Sequence, residues 1–327
     1  MSNEFNGFLF IGSASLSLSK PSRRVEDNYL DTIIEKLKFS LNLAKSKNLM
    51  PVFLGGLTLK TFELKVLTSL INILVDHNVL IIPDESDYIK GSESINPNST
   101  IGVLQSSRIA NIAEKAGLYK SICLTSKGKS KNVSIYVIHD WVSGEVISEH
   151  YKCFDENEVN IILTQYGSEL IKSTSNGVIE PYDIKNCKLV MCGKTNSTSE
   201  YTGNETKWIS PGLLSRIHIE QSEVRPVVIE WTPFDEPVFH EIPCAIHVMD
   251  MEGLASESVK NKYENSQFAK LLKDETIKSR QKQNDDDAIG QELNIIFSEK
   301  NASLDVREII LSIFDVVQKP LLSELDE

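Results

Sequence analysis

The chain has 327 residues and carries 46 acidic against 34 basic side chains, a net charge of −12. Such a balance repels phosphate backbones unless a local basic patch overrides it, so nucleic acid is disfavoured as a partner. No apolar run reaches the roughly 20 residues of a membrane helix, and the MSNEFNG start lacks a basic region and an apolar signal core, so the expectation is a cytoplasmic protein with no membrane partner.

The first apolar run, Phe8-Leu9-Phe10-Ile11, reads as a strand that ends in Gly12 and a small polar loop, Ser13-Ala14-Ser15. Val25–Lys47 follows as an amphipathic helix, with Tyr29, Ile33, Leu37, Leu41 and Ala44 at helical spacing and Glu35, Lys36, Lys38 and Lys45 off that stripe. Met50–Leu54 is a short buried strand closed by Gly55-Gly56. Thr61–Asp76 is a second helix, and Val79–Ile82 a third strand stopped by Pro83. This alternation predicts a parallel-rich sheet with right-handed crossovers, whose functional loops sit at the strand C-ends.

Beyond a polar loop, Gln105–Ala116 reads as a helix, and from Ser121 the pattern turns to β. Lys127-Gly-Lys129-Ser-Lys131 is the densest basic cluster and reads as a solvated hairpin tip. Val133–Ile138, Asn160–Thr164 and Leu189–Cys192 are strands. Trp208, Leu214–Ile219 and Val227–Trp231 extend a second sheet. The core closes near Thr232-Pro233-Phe234, giving residues 1–239 as one domain and 240–327 as a helical C-terminal extension. In that extension Leu304–Val317 is strongly amphipathic, with Ile309, Ile310, Ile313, Phe314 and Val317 on one face. The five cysteines, Cys123, Cys153, Cys187, Cys192 and Cys244, are odd in number and widely spaced. They read as buried free thiols and not as a disulfide framework or a zinc knuckle.

Chemistry is expected in the strand-end loops: Gly12–Ser15, Gly55–Leu59, Pro83–Asp87, Thr164–Gly167 and Cys192–Asn196. They offer hydroxyls and glycines, and hydroxyls alone do not hold a divalent cation, which needs converging carboxylates or imidazoles. The acidic turn Asp84-Glu85-Ser86-Asp87 is the exception. His139-Asp140 ends a strand, yet no G-x-S-x-G elbow accompanies it, so His139 reads as structural. Ser210-Pro-Gly212 is a turn leading to Arg216, which is expected in a structural salt bridge.

The order of these loops, with FLFIG, SKPSRRVEDNYLDTI, PVFLG and WISPGLLSR around them, resembles the calcineurin-like metallophosphoesterases over residues 7–235. Within that family the SbcD-type exonucleases, phage-encoded members above all, are most similar. The family motifs are D-x-H, G-D, G-N-H-D, a strand-end histidine and G-H-x-H. The resemblance implies an α/β fold, a two-sheet β-sandwich flanked by helices on both faces, and two-metal phosphoester hydrolysis. Carried over position by position, it puts Ser13 and Ser15 where the first aspartate and histidine belong. Gly56 stands for the bridging aspartate, Glu85 and Ser86 for the asparagine and the acid histidine, Gln165 for the strand-end histidine, and Lys194 and Asn196 for the last two histidines. None of the six histidines falls in a ligand slot.

What this implies is a catalytically inactive scaffold with a protein partner and no cofactor. The alternative is a residually active phosphodiesterase or nuclease using Mn²⁺ or Mg²⁺ on displaced ligands, with Asp84, Glu85 and Asp87 as the remaining metal candidates. A metal-free nucleic-acid binder is a third class.

Overall fold

A strand with no polar side must be covered on both faces. In the computed structural model β1 (Gly7–Ile11) is buried throughout. The structure describes residues 5–250, apart from 27, 91, 140–153, 155, 166, 169–177, 180, 194 and 218–220. The chain divides into two compact units, Met1–Glu252 and Gly253–Glu327. The second lies outside the described residues, and so do the helices expected at Ser256–Lys282 and Leu304–Val317.

After β1 come α1 (Tyr29–Lys47), β2 (Leu49–Phe53), α2 (Leu64–Leu74), β3 (Val79–Ile81), a 3-10 turn at Glu85–Asp87, α3 (Thr100–Ser106) and β4 (Ala110–Ile112). The β-rich part continues with β5 (Gly117–Ser126), β6 (Lys129–Ile138), β7 (Val159–Thr164), β8 (Gly167–Ser168) and β9 (Val178–Ile179). It ends with β10 (Cys187–Cys192), β11 (Ser199–Thr202), β12 (Lys207–Ser210), β13 (Val227–Trp231) and β14 (Val238–Glu241). One six-stranded sheet has the order β14-β13-β1-β2-β3-β4, a second has β11-β12-β10-β7-β6-β5, and β8 pairs with β9 alone. β1 through β4 are mutually parallel, as are β6, β7, β10 and β12. The four C-ends in each parallel set therefore lie on one edge of their sheet.

Alternation along β1 divides the core. Leu9 and Ile11 face the helices, packing with Ile33, Leu37 and Leu41 of α1 and Leu67, Leu70 and Leu74 of α2. Phe8 and Phe10 face the second sheet, meeting Val133, Ile135, Ile161 and Met191, while Phe8 stacks on Trp231 at 6.0 Å. Each such fully buried side chain contributes about 1.5–3 kcal/mol. The outer face of the second sheet packs Tyr136, Ile162, Val190 and Trp208 under Phe154 and Ile184. All three described helices lie on the first sheet, and none of the described residues form a helix on the far face.

Several elements differ from the sequence reading. The helix expected at Gln105–Ala116 sits earlier, because Ser99 caps Gly102 N at 2.9 Å and Arg108 takes a left-handed φ of 58°. Ala110–Ile112 is then free to pair with Val79–Ile81. Val227–Trp231 belongs to the first sheet, antiparallel to β1, and Leu214–Ile217 forms no strand. α1 starts at Tyr29 because Val25 N is bound to Val248 O at 3.1 Å. Lys36 is on the buried face of α1. The first unit does not close at 239: β14 pairs with β13, and Ile242 is in the core. Of the cysteines, Cys187 and Cys192 are buried, Cys123 is exposed and Cys244 is half-buried, all four free. The hairpin tip at Lys127-Gly128 is as expected, with both residues at positive φ.

If Ser99 sets the start of α3, Ser99→Ala lowers stability by about 1 kcal/mol, read from the urea midpoint at unchanged slope.

Candidate functional site

The C-ends of the two parallel sets meet at one rim, and the loops there interlock. Ser13 Oγ donates to Gly56 O at 2.8 Å and lies 3.1 Å from Ser15 Oγ. Ser15 N and Leu16 N donate to Gly56 O and Leu57 O, each at 2.9 Å, so the first two loops form one bonded ribbon. Gly56 sits at φ +56°, and a Cβ placed there would lie 2.2 Å from Ser13 Oγ. The position implied for a bridging aspartate thus has neither the backbone conformation nor the space for one. Beside it, Gly12 packs on the Pro211-Gly212 turn so closely that a Cβ would meet Gly212 O at 1.7 Å, and Leu214 N donates to Ser13 O at 2.8 Å.

The second sheet closes the opposite side. Gln165, 3% exposed, lies against Gly55 and donates through Nε2 to Pro83 O. That carbonyl fixes the amide's orientation and leaves Oε1 buried with no donor. Gly193 N donates to Thr164 O at 2.8 Å, and its Cα packs on Leu54. Thr195 Oγ1 bonds Ser210 Oγ and Ser197 O, and Thr198 Oγ1 donates to Pro211 O at 3.0 Å. Asn196 is exposed, and Lys194 and Tyr166 lie outside the described residues.

Ser13, Ser15, Gly56 and Gln165 therefore lie at the same rim. Thr195 and Ser210 complete the hydroxyl network, and that reading misses them. Their one signal is that each is a small polar residue immediately past or at the end of an apolar strand.

The acidic turn is spent on itself. Asp84 Oδ1 accepts from Glu85 N at 2.7 Å, and Asp87 Oδ2 accepts from Asp84 N at 2.9 Å, a reciprocal capping box. Glu85 and Ser86 are exposed and Asp87 is buried. Burial pushes the Asp87 carboxyl up to about 6, and the Asp84 charge adds to the rise although the Asp84 N–H opposes it. His139, also buried, stands with Nε2 3.2 Å from the Tyr88 hydroxyl, which donates to Glu114 O at 2.6 Å. It is a packed histidine edge-on to Tyr88, and Asp140 lies outside the described residues.

Among the described residues Arg216 makes no salt bridge, where the sequence reading expects one. Its guanidinium donates to the carbonyls of Ser222, Ala245 and Ile246.

Hydroxyls, an amide and backbone carbonyls do not fit a dinuclear metal centre, which needs deprotonated carboxylates and imidazoles. Among the described residues no three His, Cys, Asp or Glu side chains are placed to hold a cation.

No family model matches the chain, and no curated protein matches it. Solved structures of similar arrangement include a putative 5′-nucleotidase from Staphylococcus aureus in complex with alpha-ketoglutarate, at 10% identity and a TM-score of 0.40 over 78% of this chain. This chain spans only 56% of that one. A novel archaeal phosphodiesterase aligns at 8% identity and TM-score 0.37, covering 72% of this chain and 99% of its own. GAP50, the anchor in the inner membrane complex of Plasmodium, aligns at 10% and 0.37, covering 78% and 93%. Likeness at this level assigns this chain neither activity nor partner.

Restoring the implied aspartate by Gly56→Asp gives a protein at least about 2 kcal/mol less stable, through left-handed strain and overlap with Ser13. Calorimetry with Mn²⁺ shows no gain in binding. Asp87 yields a pH test. Its folded value lies above the ordinary 3.8, so the fold is favoured below that pH and loses stability as pH rises through about 6. Asp87→Asn keeps the acceptor and removes the titration. Wild-type stability measured against the variant falls by about 3 kcal/mol between pH 3.5 and 7.

Proposed function

We propose that this chain is a metallophosphoesterase-like scaffold that has given up phosphoester chemistry and works as a protein-binding subunit. In the setting its sequence resemblance suggests, that is a phage nucleic-acid-processing or virion assembly. One observation carries the reading. Ser13 Oγ reaches across to Gly56 O and fills the space where the side chain at position 56 would have to bridge two cations. Catalysis of this class requires those ions to polarise the phosphate and generate hydroxide, and a serine–carbonyl hydrogen bond supplies neither function.

A protein partner is favoured by what the same two loops display. Leu18, Leu59, Phe62 and Leu64 are 46–68% exposed on the segments following β1 and β2. Those segments are joined by Leu59 N to Leu16 O at 2.9 Å and Leu18 N to Glu63 Oε2 at 3.1 Å. Apolar side chains held out on a bonded, hence ordered, ribbon are costly in water and are covered at protein interfaces. No described helix is long and apolar enough to cross a membrane.

Equilibrium dialysis with Mn²⁺ and turnover of bis-p-nitrophenyl phosphate test the loss of chemistry. The expected result is no stoichiometric metal and no rate above the blank. Two bound ions per chain, or turnover, establish the residual phosphodiesterase instead. The double variant Phe62→Glu, Leu64→Glu abolishes copurification of the native partner with an unchanged melting temperature.

A further inference from the structure

Away from the strand-end rim, the first unit buries more positive than negative charge. Arg24, Lys36 and Arg216 are 2%, 3% and 3% exposed, and among the described residues Glu26, on Arg24, is the one carboxylate paired with any of them. Arg24 also lies 5.3 Å from the centre of the Tyr29 ring, and the other hydrogen-bond partners of the three are backbone oxygens. Arg24 Nη1 donates to Arg216 O at 3.0 Å, and Lys36 Nζ donates to Leu214 O at 2.9 Å. Carbonyls satisfy donors without cancelling charge, so among the described residues three cations share a single anion out of water. Burial pushes Lys36 down to about 8, and the neighbouring Arg216 and Arg24 charges push the same way.

This cluster borders an open cavity of about 650 Å³ whose lining includes Arg216, Ser222, Arg225, Cys244 and His247. Of the basic side chains, Arg216 and Arg225 line the cavity, and Lys36 is buried behind Arg216 on Leu214 O. Three of the five Arg216 N–H donors go to carbonyls. Among the described residues Nε–H is buried without an acceptor, and one Nη2–H has none either. Two carboxylates also line the cavity. Glu241 is held by Arg225 at 2.9 Å, and Glu223 is exposed to water.

We propose that this cavity is an oxyanion-binding site, in which Arg216, with Arg225 beside it, takes a phosphate or carboxylate group and sets negative charge beside the buried cations. Its volume is that of a small-molecule site, and a guanidinium fork is the group suited to both oxyanions. None of its residues belongs to the strand-end rim, so this site stands or falls separately from the scaffold reading.

Cys244, half-buried in the lining, is a built-in reporter, and exposed Cys123 is the control. Full-length protein in phosphate-free buffer is alkylated with iodoacetamide, and each cysteine's rate is read by peptide mass spectrometry. Phosphate, acetate and chloride are compared at matched ionic strength. An oxyanion at about ten times its dissociation constant slows Cys244 roughly tenfold and leaves Cys123 unchanged. Protection by phosphate or by acetate tells which headgroup the site takes. Protection by chloride to the same degree, or by none of the three, overturns the proposal. Arg216→Met removes protection, but the same side chain ties three carbonyls and the variant can fail to fold. Glu241→Gln therefore carries the second test. By freeing Arg225 it tightens oxyanion binding about three- to tenfold, a gain that misfolding cannot mimic. Unchanged or weaker binding in that variant also overturns the proposal.

Discussion

The described unit depends on how closely two sheets approach at their strand ends. Gly12 meets the Gly212 carbonyl and Gly193 meets the Leu54 carbonyl across the two sheets, where an added Cβ would lie at 1.7 and 2.0 Å, and within the first sheet's loops Gly56 meets the Ser13 hydroxyl at 2.2 Å. Approaches this close leave no room for a side chain at these three positions. The rim is then held by serine, threonine and backbone hydrogen bonds, which are neutral and locally satisfied. A cluster of carboxylates at the same place would repel until cations arrived.

The fold was largely legible in the chain because its core strands carry their evidence locally. Phe8–Ile11, Val79–Ile82 and Asn160–Thr164 are short apolar runs bounded by glycine, proline or polar loops, and each is a central strand buried on both faces. The errors fall where tertiary contacts decide. Val227–Trp231 looks the same whichever sheet it joins, and only its antiparallel pairing with β1 places it. Ala110–Ile112 has helix-compatible residues, yet the open edge of β3 recruits it once Arg108 ends the helix. Lys36 reads as solvent-facing by type, and a single carbonyl, Leu214 O, draws it inside. Pairwise partners distant in sequence leave no local periodic trace.

The candidate site was legible in part for the same reason. Ser13, Ser15, Gly56 and Gln165 are visible as letters at the strand-end positions the resemblance implies. What the letters hide is how these residues pack. Gln165 answers it: the amide reaches across the rim to Pro83 O and packs on Gly55, so the residue at the implied histidine position plugs the site.

Asp87 shows why a matched letter is weak evidence. It is the one position of the acidic window that agrees with the metal-binding pattern, and it is buried, which a ligand would also be. Its carboxylate nonetheless points its bonding capacity back along the chain, accepting from Asp84 N to close a one-turn capping box. A ligand carboxylate must be ionised and must converge with others. Asp87 is held toward its protonated form by burial, and its nearest acidic neighbour, Asp84, is engaged in the same turn. A turn of this type is useful wherever a strand must stop and reverse, with or without chemistry. Asp87 shapes the loop after β3, and that role needs no cation.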